Sequence, residues 1–281
     1  MQKVTISGNN AGIGQGPWAL GKGLGMHIVI VESDTPDLAR RARETRGADN
    51  VQRFAAVIGS VLPQAGIRAV APYDGEDVQF DGADAAIFTG SAVDWQADDP
   101  RARPLADALE AAFAAGLPVW GSCNGMNLGA ILLGGSVGGS PSGVEVGLAR
   151  DMRLTAEGRH HPMMAGRRDG FCVPCIHRDE VRQLPEGAVV LAGNAHSPVQ
   201  AFAYERDGVS FWGVQYHPEY PAQAVGAALA ARDPSDPRAA DLLRADTDPE
   251  AARRLGADPA DLVADARSRE LRNWLAHVTP A

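Results

Sequence analysis

The sequence predicts an α/β domain built on a mixed, mostly parallel open sheet with helices on both faces. Up to about residue 133, apolar runs of strand length alternate with stretches of helical periodicity. After Gly134-Gly135, strand-like runs follow one another with little helical sequence between them. Alternating β and α units form a parallel sheet that helices cover, and a strand-rich half makes such a sheet mixed. We therefore expect one main domain of this class.

The individual elements follow from periodicity along the chain. In the first half, strands are predicted near residues 27–31, 67–71, 85–88 and 119, with helical stretches at 37–62, 104–115 and 124–133. In the second half, strands are predicted near residues 144–154, 171–176, 189–192, 199–204 and 209–216. Open α/β sheets place their sites at the carboxyl ends of strands, which draws attention to the residues just after the strand near 119.

The two ends of the chain differ from this central part. The first 25 residues contain seven glycines. They do not match a dinucleotide fingerprint, because Pro17 stands where its third glycine is required, and we expect a flexible leader. Near the other end, Leu271, Trp274, Leu275 and Val278 form one apolar stripe of helical spacing. We expect this stripe to dock on its own domain, a dimer or partner interface being the alternative. The predicted division is a leader at 1–25, a main domain at 26–225 and a C-terminal helical extension at 226–281.

Composition excludes several classes of function. With 281 residues and 45% hydrophobic content, the chain can bury one substantial core. Its formal charge of −9, without a Lys/Arg cluster, argues against nucleic acid or an anionic membrane as a partner. Because no apolar stretch reaches 18 residues and no signal-type apolar region follows the N-terminus, we expect neither a membrane span nor secretion. A cytoplasmic location is the expectation.

A candidate nucleophile lies between the apolar strand near 119 and an apolar helix. It is Cys123, in the segment Trp120-Gly121-Ser122-Cys123-Asn124-Gly125-Met126-Asn127. Glycines two residues before and after the thiol remove the Cβ atoms that would clash in a sharp strand-to-helix turn, the arrangement of a nucleophile elbow. The following helix N-terminus favours the reactive thiolate.

A candidate base and its orienting group lie at the end of a later strand. The segment reads Gly213-Val214-Gln215-Tyr216-His217-Pro218-Glu219. His217 can accept the thiol proton, and Glu219 can hold the imidazole in one tautomer and stabilise its charged form. Two residues apart in extended chain, the two side chains leave on the same face. The sequence therefore predicts a catalytic triad of Cys123, His217 and Glu219.

These motifs resemble those of class I glutamine amidotransferases, and the chain is most similar to stand-alone relatives of the GMP synthase amidotransferase domain. That family reads Gly-x-Cys-x-Gly-x-Gln and Gly-Val-Gln-x-His-Pro-Glu. The second pattern is complete here, and the first differs in Asn127, which keeps an amide with a shorter reach. The resemblance spans roughly residues 26–222 and implies a flavodoxin-like fold.

The resemblance also implies the remaining site residues. Ile87-Phe88-Thr89-Gly90-Ser91 falls where the family has a strand ending in Ser-Gly-Gly, which makes the backbone N–H groups of Ser91 and Asn124 the expected oxyanion donors. The segment at 176–181 resembles one that binds the α-amino and α-carboxylate groups of glutamine. The expected substrate contacts are Gly90, Asn127, Ile176, His177, Arg178 and Asp179. For His177 the alternative is an ordinary loop histidine, and for His196 a position in the pocket is the alternative to an ordinary residue. Glu145 is expected to be a structural residue.

The two other cysteines, Cys172 and Cys175, form a Cys-x-x-Cys pair within an apolar run that reads as a strand. A zinc site would need further ligands at recognisable spacing, and a redox pair would open a helix. We expect ordinary strand cysteines, and neither a metal nor a cofactor.

By resemblance, the expected reaction is hydrolysis of L-glutamine to glutamate and ammonia through a thioester on Cys123. The ammonia would serve a separate synthase subunit, and a homo-oligomer is also open. The first alternative is a free-standing hydrolase of a γ-glutamyl peptide or another γ-glutamyl amide, with a larger pocket beyond Cys123. The second is a catalytically silent regulatory or binding module of the same fold.

Overall fold

The computed structural model describes residues 13–14 and 25–280. Apart from residues 13, 14 and 25, the predicted leader lies outside the described residues. The strands are β1 (Ile13–Gly14), β2 (His27–Val31), β3 (Gly66–Val70), β4 (Ala85–Phe88), β5 (Pro118–Ser122), β6 (Ser136–Gly139), β7 (Glu145–Leu154), β8 (Phe171–His177), β9 (Asp179–Gln183), β10 (Val189–Gly193), β11 (Ala201–Arg206) and β12 (Val209–Val214).

The helices follow the same alternation in the first half of the chain and then cluster at its end. They are α1 (Pro36–Arg46), α2 (Asn50–Val61), α3 (Arg103–Ala114), α4 (Asn124–Leu132), α5 (Ala222–Arg232), α6 (Arg238–Leu242), α7 (Pro249–Arg254), α8 (Pro259–Leu262), α9 (Ala264–Arg267) and α10 (Arg269–Val278). Three short 3₁₀ turns lie at Pro72–Asp74, Pro100–Ala102 and Pro162–Met164. Among the described residues, no helix has the length and apolarity needed to cross a membrane.

The main sheet has the strand order β1-β3-β2-β4-β5-β12-β11-β10-β7-β8. Strands from β1 to β12 in this order pair in parallel, and those from β12 to β8 pair antiparallel. Strands β6 and β9 form a small separate antiparallel sheet. The mixed, mostly parallel sheet with helices that the sequence predicts is thus confirmed.

Two details differ from the sequence prediction. The helical stretch at 37–62 is broken into α1 and α2, because Gly47 adopts a left-handed φ of 78° and Asp49 then starts α2 through a capping box with Gln52. Strands β6 and β9 were not predicted. In β9 only Val181 offers a buried apolar side chain, and two glycines fill half of β6, so neither segment has strand periodicity.

The C-terminal stripe docks on the chain's own core, as expected. Leu271, Trp274 and Leu275 are buried, and the ring centroids of Trp274 and Trp120 lie 5.9 Å apart. Beside the stripe, Arg167 pairs with Glu270 at 2.6 Å, with both side chains almost fully buried. Helix α10 therefore covers one face of the sheet next to β5, the strand that leads to Cys123. The division of the chain into separate units stays a prediction.

Candidate active site

Cys123 occupies the turn between β5 and α4 with a strained backbone. Its φ of 48° and ψ of −103° lie outside the regions that non-glycine residues ordinarily adopt. A Cβ on Gly121 would lie 2.8 Å from the Gly125 carbonyl, and a Cβ on Gly125 would overlap the Phe88 carbonyl oxygen. Only glycine at both positions lets strand, turn and helix approach this closely. The geometry is that of the predicted nucleophile elbow.

His217 and Glu219 follow β12, which pairs in parallel with β5. The Cys123 N–H donates to the Val214 carbonyl at 2.7 Å, which fixes the elbow to the end of β12. The His217 Nδ1 lies 2.7 Å from Oε1 of Glu219, and both residues are buried. The register of two neighbouring parallel strands thus places the thiol beside the imidazole, although 94 positions separate them in sequence.

The electrostatics of this pair favour a charged imidazole. Burial lowers the pKa of His217, but the Glu219 carboxylate and the Cys123 sulfur outweigh it and raise this pKa to about 10. Within the described residues, Nε2 of His217 has no hydrogen-bond partner. At neutral pH His217 is therefore an imidazolium held by Glu219.

The loop at 89–92, which follows β4, packs directly on these groups. The Gly125 N–H donates to the Thr89 carbonyl at 3.2 Å. A Cβ on Gly90 would lie 2.7 Å from Cε1 of His217 and 3.4 Å from the Cys123 Cβ. Gly90 is therefore in contact with both groups, and Ser91 and Asn124 border the same pocket as the thiol.

The segment at 176–179 forms the opposite side of the thiol. The Cys123 Sγ lies 3.8 Å from the Ile176 carbonyl oxygen. The buried His177 side chain is held between Glu145 at 2.8 Å and the Asp179 carbonyl at 3.1 Å. Arg178 pairs with the Asp179 carboxylate at 2.7 Å. The group of this segment in contact with the thiol is thus a backbone carbonyl, while these side chains are bonded to neighbouring residues.

The pocket around Cys123 has a volume of about 580 Å³. Nine of the predicted site residues line it: Ser91, Cys123, Asn124, Asn127, Ile176, His177, Arg178, Asp179 and His217. Glu219 lies behind His217. His196 lies outside the lining of this pocket: its ring centroid is 5.6 Å from that of His177, and its Nε2 donates to the Gly143 carbonyl at 3.2 Å.

The wall facing the 176–179 segment comes from α1 and α5, which the sequence did not connect with the site. It carries Leu38, Arg41, Ala42, Thr45, Arg46, Ala228, Ala231 and Arg232. Glu145 accepts hydrogen bonds from Asn194 and Gln200 as well as contacting His177, in agreement with the structural role expected of it. One more feature was missed, a polar cluster that lies under the 89–92 loop. The sequence signal that could have revealed this cluster is the run of polar residues at 32–34, directly after the buried strand β2.

No group of three or more His, Cys, Asp or Glu side chains in the described part of the chain is arranged to hold a metal ion. Cys172 and Cys175 are buried in β8. Burial raises the pKa of Cys172 to about 12 and that of Cys175 well above its usual range. Both are thus inert strand residues in this fold.

Comparison with known proteins agrees with this geometry. Residues 70–233 match the family described as glutamine amidotransferase class-I. The chain belongs to this family. It is 40% identical over 141 residues to a γ-glutamyl-L-1-hydroxyisopropylamide hydrolase from a Pseudomonas species, covering 48% of the chain and 47% of the relative. It is 32% identical over 200 residues to a glutamine-hydrolysing GMP synthase from Synechococcus sp. (strain CC9902), covering 68% and 31%.

The chain spans less than half the length of these curated relatives. Among solved structures, a glutamine amidotransferase from Thermotoga maritima superposes with a TM-score of 0.62 at 15% identity, over 91% of this chain and 99% of that one. One from Methylobacillus flagellatus gives 0.56 at 20% identity, over 91% and 92%. At these identities the likeness concerns the fold, and it confirms the flavodoxin-like prediction.

Proposed function

We propose that this amidotransferase hydrolyses the side-chain amide of a γ-glutamyl substrate through a thioester on Cys123. The observation that carries the proposal is the buried His217–Glu219 pair, joined at 2.7 Å, beside a thiol in a strained elbow. A charged imidazole next to a cysteine is the pairing that thiol nucleophiles use. Family membership and the named relatives support the same reaction class.

In the first half of the reaction, the Cys123 thiolate attacks the γ-carbonyl carbon and a C–S bond forms. The oxygen becomes negative, and the N–H groups of Ser91 and Asn124 donate to it; one such donor contributes about 3–4 kcal/mol. As the C–N bond breaks, His217 gives its proton to the leaving amine or ammonia. The glutamyl thioester remains on Cys123.

In the second half, a water molecule loses a proton to His217 and attacks the thioester carbonyl. The C–S bond breaks, glutamate leaves, and the thiolate–imidazolium pair is restored. Throughout, Glu219 keeps Nδ1 of His217 protonated and so directs Nε2 toward the reacting atoms. The glutamyl portion would be held by Gly90, Asn127 and the 176–179 backbone.

Two substrates fit this chemistry, L-glutamine and a larger γ-glutamyl amide. The pocket volume of about 580 Å³ supports the larger γ-glutamyl amide, because sites for drug-sized ligands have volumes in this range. The relative that hydrolyses a γ-glutamyl hydroxyisopropylamide supports it as well. If glutamine is the substrate, the ammonia acceptor is a separate synthase.

The wall from α1 and α5 sets a charge preference for a larger amine portion. Arg41, Arg46 and Arg232 line the pocket there. The Arg46 guanidinium donates to the Tyr220 hydroxyl at 3.1 Å, next to the ring that stacks on His217, from which the leaving amine must receive its proton. A cationic amine portion would be repelled by these guanidinium groups. Neutral or anionic amine portions should be turned over in preference.

The test is a glutamate-release assay with matched γ-glutamyl compounds. Purified wild-type protein and the Cys123→Ala variant are each incubated with four compounds. These are L-glutamine, γ-glutamyl-L-1-hydroxyisopropylamide, a γ-glutamyl dipeptide with a free carboxylate, and a γ-glutamyl diamine. Release by the wild-type protein alone supports the proposal, and the order of kcat/KM identifies the substrate class. Release that requires added cell extract indicates a synthase-dependent subunit. No release from any compound under either condition overturns the proposal in favour of a silent module.

We also propose a cytoplasmic location. Cys123, Cys172 and Cys175 are all unpaired, and the reaction requires a reduced thiol, as the cytosol maintains. Fractionation of the native host should find the protein there, and recovery with secreted proteins would contradict the proposal.

A further inference from the structure

A group of buried polar residues lies beneath the 89–92 loop, and one of them, Tyr220, also lines the substrate pocket. We call it the buried polar network; its members are Glu32, Asp34, Asn50, Thr89 and Tyr220. They come from the end of β2, the first turn of α2, the end of β4 and the segment after Glu219. All five are nearly inaccessible to solvent. Burying two carboxylates costs free energy of folding unless hydrogen bonds and nearby charges compensate for the lost hydration.

Asn50 is the centre of the buried polar network. Its Nδ2 donates to Glu32 Oε1 at 2.9 Å, to Asp34 Oδ2 at 3.1 Å and to the Gly90 carbonyl at 3.0 Å, two protons being shared among three acceptors. Its Oδ1 accepts from the Tyr220 hydroxyl at 2.5 Å. One side chain thus connects both carboxylates, the 89–92 loop and Tyr220.

The carboxylates hold the 89–92 loop from below. Asp34 Oδ1 accepts from the Ala92 N–H at 2.7 Å and from the Ser91 hydroxyl at 3.0 Å. Glu32 Oε1 lies 3.0 Å from the Thr89 hydroxyl. Together with the Asn50 bond to Gly90, each residue of the loop has a bond to the buried polar network. The orientation of the Ser91 peptide, the proposed oxyanion donor, is therefore fixed from both sides.

Tyr220 connects the buried polar network to the imidazole. Its ring stacks on that of His217 with centroids 4.3 Å apart and an interplanar angle of 10°. The guanidinium groups of Arg46 and Arg53 lie 5.4 Å and 5.2 Å from the Tyr220 ring centroid. An imidazolium stacked on an aromatic face is stabilised by the negative charge of that face.

We propose that Asn50 and Tyr220 are positioning residues that hold the oxyanion donor of the 89–92 loop and the His217 imidazole in one fixed relation to Cys123. This inference rests on the proposed function. Oxyanion donors and bases act only within about 0.5 Å of the productive geometry, and the two groups follow separate strands, β4 and β12, whose ends the buried polar network connects beneath the site. Neither residue touches the substrate pocket's reacting atoms through its polar group.

The charges around the network agree with this role. Glu32 faces Asp34, whose negative charge is met by Arg46; Arg53 and Glu219 lie on the Tyr220 side. Burial, followed by the charge of Asp34, raises the pKa of Glu32 to about 7. A protonated Glu32 keeps the carboxylates from repelling each other, so that the loop they hold stays in place.

The experiment compares Tyr220→Phe, Tyr220→Leu and Asn50→Asp with wild type and with Tyr204→Phe, a buried tyrosine on β11 remote from the site. Circular dichroism and thermal unfolding establish that each variant is folded. Glutamate release gives kcat and KM from pH 5.5 to 8. In parallel, the rate at which iodoacetamide alkylates Cys123 is measured over the same range, which requires no substrate.

Tyr220→Phe should lower kcat about tenfold and leave KM within about twofold of the wild-type value. The reason is that Asn50, which bonds to the 89–92 loop, loses its hydrogen bond from the Tyr220 hydroxyl. Asn50→Asp should lower kcat about a hundredfold at pH 8, and this deficit relative to wild type should narrow at pH 5.5, where a protonated aspartic acid can donate again. Tyr220→Leu should slow alkylation at pH 7 about fivefold by destabilising the imidazolium. Tyr204→Phe should match wild type.

Folded Asn50→Asp and Tyr220→Phe with kcat within twofold of wild type would overturn the proposal, as would a loss confined to KM. If wild type releases no glutamate from any substrate, the proposed function fails, and alkylation alone decides the positioning role. An unchanged alkylation profile in Tyr220→Leu then overturns it.

Discussion

The two sides of the reaction centre are built in different ways. The thiol side is local, since Cys123 and the glycines that allow its strained turn lie within five consecutive positions. The oxyanion side depends on three distant segments: Asp34 and Asn50 bond to the 89–92 loop, and Tyr220 bonds to Asn50. The nucleophile is thus positioned by backbone sterics, and its partners by side-chain hydrogen bonds.

This difference has an energetic consequence. Strand, turn and helix pack so closely at the elbow that a Cβ at either glycine would overlap backbone atoms, so any larger residue there must displace the backbone that carries Cys123. Hydrogen bonds among buried groups hold the 89–92 loop only while each partner is present and correctly protonated. Changes on the thiol side should therefore abolish activity at any pH, whereas changes on the oxyanion side should give graded, pH-dependent losses.

The largest effect is expected for Cys123→Ala. Without the sulfur no thioester forms, and kcat for glutamate release should fall by at least about 10⁴-fold at every pH. The measurement is steady-state release together with detection of the acyl-enzyme by mass spectrometry. Cys172→Ala is the control, because Cys172 is buried in β8 away from the pocket. Activity lost equally in both variants would contradict the assignment of the nucleophile.

The second effect concerns Glu219→Gln. The carboxylate raises the pKa of His217 to about 10 against the opposing effect of burial, so its removal lowers this pKa. We expect kcat/KM to fall about 10²–10³-fold, and the alkaline limb of its pH profile, where the His217 proton is lost, to move to lower pH. A limb that stays at the wild-type position would show that Glu219 does not set the His217 pKa.

The third effect concerns Gly90→Ala, on the border between the two sides. The added methyl would lie 2.7 Å from Cε1 of His217, so the imidazole or the 89–92 loop must shift. Either movement misplaces a reacting group, and we expect kcat to fall about a hundredfold. Gly139→Ala is the matched control, since a Cβ there meets no atom within 4 Å. Equal activity of the two variants would mean that the 89–92 loop can shift to accommodate the methyl group without misplacing a reacting group.

The same contrast explains how much of the molecule the sequence predicts. The strands at 27–31 and 85–88 were predicted with the bounds observed, because they are continuous apolar runs buried on both faces of a parallel sheet. Strand β9 was missed because its side chains are mostly charged and it pairs only with the short β6. A run of apolar residues is the sequence signal for a buried strand, and β9 lacks such a run.

The site follows the same rule. Cys123 and His217 were found because their chemistry and backbone context lie in contiguous motifs, and the register of β5 and β12 brings those motifs together. Asn50 gave no such signal, since an asparagine at the start of a helix reads as an ordinary terminal residue. Its role arises from contacts with residues up to 170 positions away. Such contacts depend on tertiary packing, which local sequence does not encode.

The smallest effect concerns Glu32 and is a change in stability. Its folded-state pKa of about 7 lies above the ordinary value of 4.5, so folding favours proton uptake. The free energy of unfolding should therefore decline as pH rises from about 4.5 to 7, and level off above it. Between pH 5 and 8 this amounts to about 2 kcal/mol, and Glu32→Gln, which cannot ionise, should lack it. Urea unfolding at both pH values measures the difference, with Glu186→Gln on the exposed surface as control. If Glu32→Gln and Glu186→Gln show the same pH dependence as wild type, Glu32 ionises freely in the fold, and the oxyanion side is held without regard to its protonation.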